Sequence, residues 1–251
     1  MKKIFGLVGF PLIHSFSKEY FTRKFKEEGW KDYEYRNFEL KNIAEFPKII
    51  SETEGLSGLN ITIPYKSEIL QYVDFQSDVV KEINAANTLV ILSDRKILAD
   101  NTDVVGFEQS IKPYLESHHK RALILGTGGA AKAVAYVFKK LRIPYLFVSR
   151  TPRGRENMIS YAELDKFIFK QYQIVVNTTP VGSYPHTSEM PVIPYDFVTD
   201  LHLFYDLIYN PSQTNFLEKA SIKGAKTLNG LKMLHLQAEA SWKIWQKKSG
   251  D

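Results

Sequence analysis

Residues 126–131, Gly-Thr-Gly-Gly-Ala-Ala, follow the apolar run Ala122-Leu123-Ile124-Leu125 and open a stretch of helical periodicity. Glycines at such a strand-to-helix turn let the backbone double back and come close to a pyrophosphate. The phosphate then rests on the N–H groups and positive end of the helix. A second apolar run, 145–148, ends in Ser149-Arg150-Thr151-Pro152-Arg153-Gly154-Arg155. This strand tip meets the adenosine ribose in dinucleotide folds, where an Asp or Glu would accept from a free 2′-hydroxyl. Arg150, Arg153 and Arg155 offer guanidinium groups instead, which suit a 2′-phosphate. The spacing therefore predicts an NADP site. Ala131 stands at the third glycine position, as the pattern allows.

Further polar residues stand at strand ends or in apolar surroundings. Ser15 and Ser17, in Gly9-Phe10-Pro11-Leu12-Ile13-His14-Ser15-Phe16-Ser17, precede a helix. Two hydroxyls there can hold a carboxylate, or Ser17 can merely cap the helix. Asn60 and Thr62 alternate with Leu59, Ile61 and Ile63, which puts both on one side of a strand. Lys66 follows that strand, at the edge where α/β sheets take ligands, and is a candidate proton donor; the alternative is a plain surface lysine. Asn87, in Asn84-Ala85-Ala86-Asn87-Thr88, and Asp103, in Asp100-Asn101-Thr102-Asp103, are placed to hydrogen-bond a polyol, with Asp103 pairing Lys66. They can equally end a loop and cap a helix. Gln237 falls in the apolar arc of the last helix, where its amide needs either a backbone partner or a ligand.

The elements that must carry these groups form two α/β domains. Strands are predicted near 4–8, 33–38, 59–63, 88–92 and 97–99, with helices near 17–28, 42–52 and 67–72. Ser93-Asp94-Arg95 joins the last two strands as a hairpin. Beyond residue 101, strands near 122–125, 145–148, 174–176, 203–207 and 225–227 alternate with helices, as a doubly wound parallel sheet requires. A loop spans 182–195. The final helix, 229–246, has an apolar arc including Leu234, Ala238, Trp242 and Trp245, too broad to pack on one surface. It is expected to return to the first domain. The expected domains are thus 1–101 plus 229–251 and 102–228.

Composition excludes other classes. The chain of 251 residues has no cysteine, which removes disulfides, thiolate metal sites and cysteine nucleophiles. The histidines lack ligand spacing, so no metal is expected. The net charge of +5 comes without a long Lys/Arg run or a basic strand interleaved with aromatics, so no nucleic acid is expected. Lys2-Lys3 and the apolar run after them imitate a signal peptide, but Pro11 and His14 interrupt it and no cleavage site follows. No apolar run is long enough to span a membrane. The protein is expected to be cytoplasmic, a monomer or homodimer acting on a small molecule.

Taken together, the motifs resemble the shikimate dehydrogenase family over essentially the whole chain. They are Gly9 to Ser17, Asn60 to Lys66, Ala85 to Thr88, Asn101 to Gly106, Gly126 to Ala130, Asn177 to Gly182 and Gly230 to Ala238. The resemblance implies an N-terminal α/β substrate domain, a Rossmann-type NADP-binding domain, and reversible NADPH-dependent reduction of 3-dehydroshikimate to shikimate. It implies that Ser15 and Ser17 hold the substrate carboxylate, while Asn60, Thr62, Asn87, Asp103 and Gln237 bond its hydroxyls with Tyr209 close by. Lys66 would deliver the proton, oriented by Asp103. Gly126, Thr127, Gly128, Gly129, Ala130 and Ala131 would hold the pyrophosphate, and Ser149, Arg150, Thr151 and Arg153 the 2′-phosphate. Asn177, Thr178, Leu207, Gly230 and Met233 would lie near the cofactor. Phe10, Lys18, Asn84, Ser149 and Ser183 depart from the residues common in the family. The alternatives are a quinate/shikimate dehydrogenase of relaxed specificity and a non-catalytic ligand-sensing paralogue, which loss of Lys66 or Asp103 would mark.

Overall fold

A computed structural model describes residues 2–12, 16–152 and 157–248. The backbone separates into two units, Met1–Thr102 with Ala238–Asp251, and Asp103–Gln237. The first contains β1 (Lys3–Gly9), α1 (Phe16–Glu27), β2 (Tyr33–Glu39), α2 (Phe46–Glu52), β3 (Leu56–Ile61), β4 (Phe75–Gln76), α3 (Asp78–Ile83), β5 (Thr88–Ile91) and β6 (Ile97–Asp100). Its sheet order is β2-β1-β3-β5-β6-β4. β1 pairs in parallel with β2 and β3, whereas β5 runs antiparallel to β3 and β6.

Strand alternation sorts this unit's side chains between two cores. Ile4, Val8, Leu59, Ile61 and Leu89 join Phe46 and Ile49 of α2 on one face. Phe5, Leu7 and Val90 face the other way, toward Phe21 and Phe25 of α1 and toward Trp242 and Trp245. Gly58 lies on that second face. A Cβ there would stand 2.4 Å from Trp245 Nε1, so the indole lies against β3 only because the residue is glycine. Trp245 Nε1 donates to the Leu89 carbonyl at 2.9 Å.

The second unit contains α4 (Asp103–Ile111), β7 (Ala122–Leu125), α5 (Gly129–Lys140), β8 (Tyr145–Ser149), β9 (Met158–Ser160), α6 (Lys166–Gln171), β10 (Ile174–Asn177), β11 (Leu203–Asp206), α7 (Asn215–Ile222) and β12 (Lys226–Leu228). It also holds the start of α8 (Leu231–Lys248), which from Ala238 onward belongs to the first unit. The order β12-β11-β10-β7-β8-β9 is parallel throughout. Counted from β7, this is the 3-2-1-4-5-6 order of the dinucleotide fold, with its switch point between β7 and β10. Residues on both faces of β7, β10 and β11 are buried, as a parallel sheet covered by helices demands. No described helix is long and apolar enough to cross a membrane.

Some expected boundaries move. The strand expected over 59–63 is Leu56–Ile61, and Thr62 falls in the next turn, where Tyr65 N–H closes onto its carbonyl at 3.0 Å. The helix expected over 42–52 starts as a 3-10 turn, Ile43–Glu45, capped by the Asn42 side chain, and turns α-helical from Phe46. The helix expected over 67–72 is 3-10, Glu68–Tyr72. β4 and β9 are too short to show a period. The boundary expected at 228/229 falls at 237/238, because the first turns of α8 pack inside the second unit. A Cβ on Gly106 would meet the Met233 carbonyl at 2.6 Å and Gln237 Cβ at 3.0 Å.

Candidate active site

At the end of β7 the chain turns on Gly126, whose φ of +106° is a region that suits glycine. A Cβ there would also lie 2.8 Å from Thr178 Oγ1. Gly128 is the N-cap of α5, and as a glycine it has no side chain to bond the first N–H groups of that helix. Nothing lies within 4 Å of where a Gly128 Cβ would be. An open glycine cradle over an uncapped helix start fits a pyrophosphate. Thr127 and Gly128 are exposed, Gly129 and Ala130 half-buried, and Ala131 packs beneath. Arg150 stands exposed just beyond β8, on a tip folded by Thr151 N–H donating to Ser149 Oγ at 3.2 Å. Arg153 and Arg155 lie outside the described residues.

The ends of β10, β11 and β12 bring the remaining cofactor candidates together. The N–H and hydroxyl of Thr178 both donate to the Leu125 carbonyl, at 3.0 and 2.6 Å. Leu207 N–H donates to the Asn177 carbonyl at 3.0 Å, and Gly230 N–H to the Ile208 carbonyl at 2.9 Å. A Cβ on Gly230 would come 2.0 Å from the Leu207 carbonyl oxygen, so this approach needs glycine. Met233 is buried one turn into α8. At the end of β11 lies buried Asp206. It accepts from the Thr214 hydroxyl at 2.6 Å, the Asn177 amide at 3.0 Å and Ile208 N–H at 3.1 Å. Burial pushes its carboxyl up to about 6, against the pull of those donors. Asn177 Oδ1 also accepts from the N–H and hydroxyl of Thr179. The side chains of Asn177 and Thr178 thus bind protein groups, and the Asn177 carbonyl and Thr178 N–H are bonded to the Leu207 and Leu125 segments as well.

In the first unit, Ser17 sits in the first turn of α1 rather than at its cap, buried and hydrogen-bonded to Tyr35 of β2. Ser15 lies outside the described residues. Tyr35 donates to Asn60 Oδ1 at 2.9 Å, and Asn60 Nδ2 donates to Ser241 Oγ at 3.0 Å and the Asn87 carbonyl at 3.3 Å. Asn60 faces the side of the sheet covered by α1 and α8, and both ends of its amide have protein partners there. Ser241 Oγ also lies 2.8 Å from Thr88 Oγ1 and 3.0 Å from Thr102 Oγ1. Asn87 Oδ1 gathers Thr102 N–H at 2.7 Å and the hydroxyls of Thr102 and Thr88 at 3.1 and 3.0 Å. That fixes the amide with its NH₂ turned from this cluster. Burial holds the Tyr35 phenol protonated, far above its ordinary range, and the Ser17 bond opposes it.

The other candidates are distributed over both units. Thr62 and Lys66 are half-buried in the turn after β3, and the Lys66 carbonyl accepts from Ala86 N–H at 2.7 Å, tying it to the Asn87 segment. Asp103 is buried as the first residue of α4. Tyr209 is half-buried beyond β11. Gln237 is buried and donates to the Leu234 carbonyl at 2.9 Å, a backbone partner in its own helix. Among the described residues, no group of three or more His, Asp or Glu could hold a metal ion. Sequence reasoning passes over Tyr35, Ser241 and Asp206. Ser241 had a signal: it lies four residues from both Gln237 and Trp245, so a hydroxyl occupies the buried stripe of α8 and needs partners.

Known proteins share this arrangement. Residues 7–89 match the shikimate dehydrogenase substrate binding domain. The whole chain is 39% identical to the shikimate dehydrogenase (NADP(+)) of Caldicellulosiruptor saccharolyticus, over 98% of this chain and 92% of that one. The chain belongs to the shikimate dehydrogenase family. Another shikimate dehydrogenase (NADP(+)), from Methanococcus maripaludis, is 35% identical over 99% of this chain and 93% of that one. Among solved structures, shikimate 5-dehydrogenase from Thermus thermophilus, in complex with NADP(H) and shikimate, is 26% identical. It superposes with a TM-score of 0.86 over 98% of this chain and 94% of that one. The shikimate dehydrogenase architecture, an N-terminal α/β substrate domain and a Rossmann domain, is the fold described above.

Proposed function

We propose that this chain catalyses the reversible NADPH-dependent reduction of 3-dehydroshikimate to shikimate, a step toward chorismate and the aromatic amino acids. One observation carries the reading: an open glycine cradle at the start of α5, with Arg150 just beyond the neighbouring strand, in a member of the shikimate dehydrogenase family. When bound, NADPH supplies the hydride. Gly126 to Ala131 hold its pyrophosphate, and Ser149, Arg150, Thr151 and Arg153 its 2′-phosphate. Asn177, Thr178, Leu207, Gly230 and Met233 lie near the rest of the cofactor.

Ser15 and Ser17 bind the substrate carboxylate. Asn60, Thr62, Asn87, Asp103 and Gln237 bond its hydroxyls, with Tyr209 close by. Lys66 gives a proton to the C3 oxygen, and its ammonium stabilises the alkoxide character that develops there. On this reading the reaction belongs to the cytoplasm, where substrate and NADPH would both be in solution.

The test is NADP⁺ reduction by the purified protein with shikimate, run beside NAD⁺, quinate and Lys66→Ala. Turnover that requires both shikimate and NADP⁺ is expected. Equal kcat/KM with quinate would shift the reading to a quinate/shikimate dehydrogenase. Binding of NADP⁺ with no turnover of either substrate would overturn it in favour of a sensor.

A further inference from the structure

Asp206 closes β11 with a fully buried carboxylate. Its partners come from three segments. Asn177 Nδ2, at the end of β10, donates to Oδ1 at 3.0 Å, and Ile208 N–H donates to the same oxygen at 3.1 Å. The Thr214 hydroxyl, at the cap of α7, donates to Oδ2 at 2.6 Å. The direction of each bond is fixed. The N–H and hydroxyl of Thr179 donate to Asn177 Oδ1 at 3.0 and 2.7 Å, which turns the Asn177 NH₂ toward Asp206. Thr214 accepts from Leu217 N–H at 3.4 Å and spends its single proton on the carboxylate. Three donors and no acceptor suit an ionised carboxylate. Among the described residues each of these partners is neutral, so dipoles solvate the charge and no bonded cation balances it. Burial opposes the charge and lifts the carboxyl to about 6. Of the neighbours, the Tyr195 phenol is titratable. Burial, then the Asp206 charge, hold it protonated far above its ordinary range, so it stays neutral while Asp206 titrates.

The place of this charge says what it meets. A dinucleotide fold has two mononucleotide halves, and the glycine cradle and Arg150 assign the adenosine half to β7, β8 and β9. The nicotinamide half is then β10, β11 and β12, with the ligand outside the carboxyl ends of the strands. Asp206 is the last residue of β11, one before Leu207. We propose that Asp206 sets which oxidation state of the cofactor this site prefers: its fixed negative charge, in the nicotinamide half, favours NADP⁺, whose ring is positive, over NADPH, whose ring is neutral. This rests on the reading that the chain binds NADP. The pyrophosphate and 2′-phosphate are common to both forms, so a charge that separates them acts on the ring. Favouring the oxidised form raises bound NADPH relative to bound NADP⁺ and makes it the stronger hydride donor.

The test is the ratio Kd(NADPH)/Kd(NADP⁺), measured without substrate by NADPH fluorescence and its displacement, from about pH 5 to about pH 8. In the wild type the ratio should rise about three- to tenfold as the carboxylate ionises, the order of two unit charges a residue layer apart in a partly hydrated crevice. Titration of the 2′-phosphate affects both forms and cancels. Asp206→Asn should keep the low-pH ratio throughout, whereas a merely structural role would weaken both forms alike and leave the ratio unmoved. Thr214→Val removes one donor to the carboxylate and should shift the midpoint of the rise to higher pH. A wild-type ratio flat with pH, an equal rise in Asp206→Asn, or a midpoint unmoved in Thr214→Val would each overturn the proposal. If Asp206→Asn fails to fold, the wild-type and Thr214→Val profiles decide. A wild type that binds neither form would overturn the cofactor reading instead, an outcome distinct from tight binding with an invariant ratio.

Discussion

Lys66 is held by its backbone to the segment carrying Asn87, so its removal deletes an ammonium without freeing a strand. Lys66→Ala should lower kcat by about 10²- to 10⁴-fold, the usual share of a general acid, with a smaller change in KM. Near-normal turnover would remove Lys66 from the chemistry. Arg150 makes a separate prediction, since it is exposed beside the cradle and a guanidinium there distinguishes a phosphate from a hydroxyl. Arg150→Ala should raise KM for NADP⁺ and leave that for NAD⁺ almost alone; equal losses for both would place the 2′-phosphate elsewhere. Asp206 supplies a pH dependence. Its carboxyl lies near 6 in the fold, above the ordinary 3.8, so the ionised form is the costly one. The stability this group contributes is present below about pH 4 and lost as pH rises through about 6, a swing on the order of 3 kcal/mol. Asp206→Asn stays neutral, so urea unfolding should show the variant gaining on the wild type from pH 4 to pH 7. A difference that is flat with pH would mean that Asp206 titrates alike folded and unfolded.

At the scale of elements, long apolar runs were legible and short edges were not. β7 and β10 are buried on both faces, and nothing but a parallel core strand suits such runs. The β5–β6 hairpin was legible from its polar turn, where Arg95 takes a positive φ of 66°. β9, three residues at the sheet edge, leaves no periodic trace. The glycine cradle was readable because its chemistry is local in sequence. The partners of Asn60 were hidden for the opposite reason. Alternation gives the face of a strand but not what covers that face, and its partners Tyr35 and Ser241 are 25 and 181 residues away. Gly58 makes the same point as a prediction, because its significance comes from Trp245 on α8. Gly58→Ala should displace the indole and weaken its bond to Leu89, costing about 1–3 kcal/mol in urea unfolding as overpacked cores do. Stability equal to wild type would show that α8 shifts at no cost.

Over the whole molecule, 33 Lys and Arg against 28 Asp and Glu leave a net charge of +5, while both proposed ligands are anionic. A positive field draws such ligands in from beyond contact distance, and salt suppresses it. The effect depends on ligand charge, and the 2′-phosphate gives NADP⁺ about 1.5–2 more negative charges than NAD⁺ near neutral pH. Raising ionic strength from about 0.01 M to about 0.1 M shortens the screening length from roughly 30 Å to roughly 10 Å. Over that range KM for NADP⁺ should therefore climb more steeply than KM for NAD⁺. If the extra slope comes mainly from Arg150, Arg150→Ala should abolish most of it; if it comes from the net charge, the slope should survive that variant and fall when exposed lysines such as Lys31 and Lys41 are replaced by Gln. Identical slopes for the two cofactors in the wild type would show that the net positive charge has no part in capturing the 2′-phosphate.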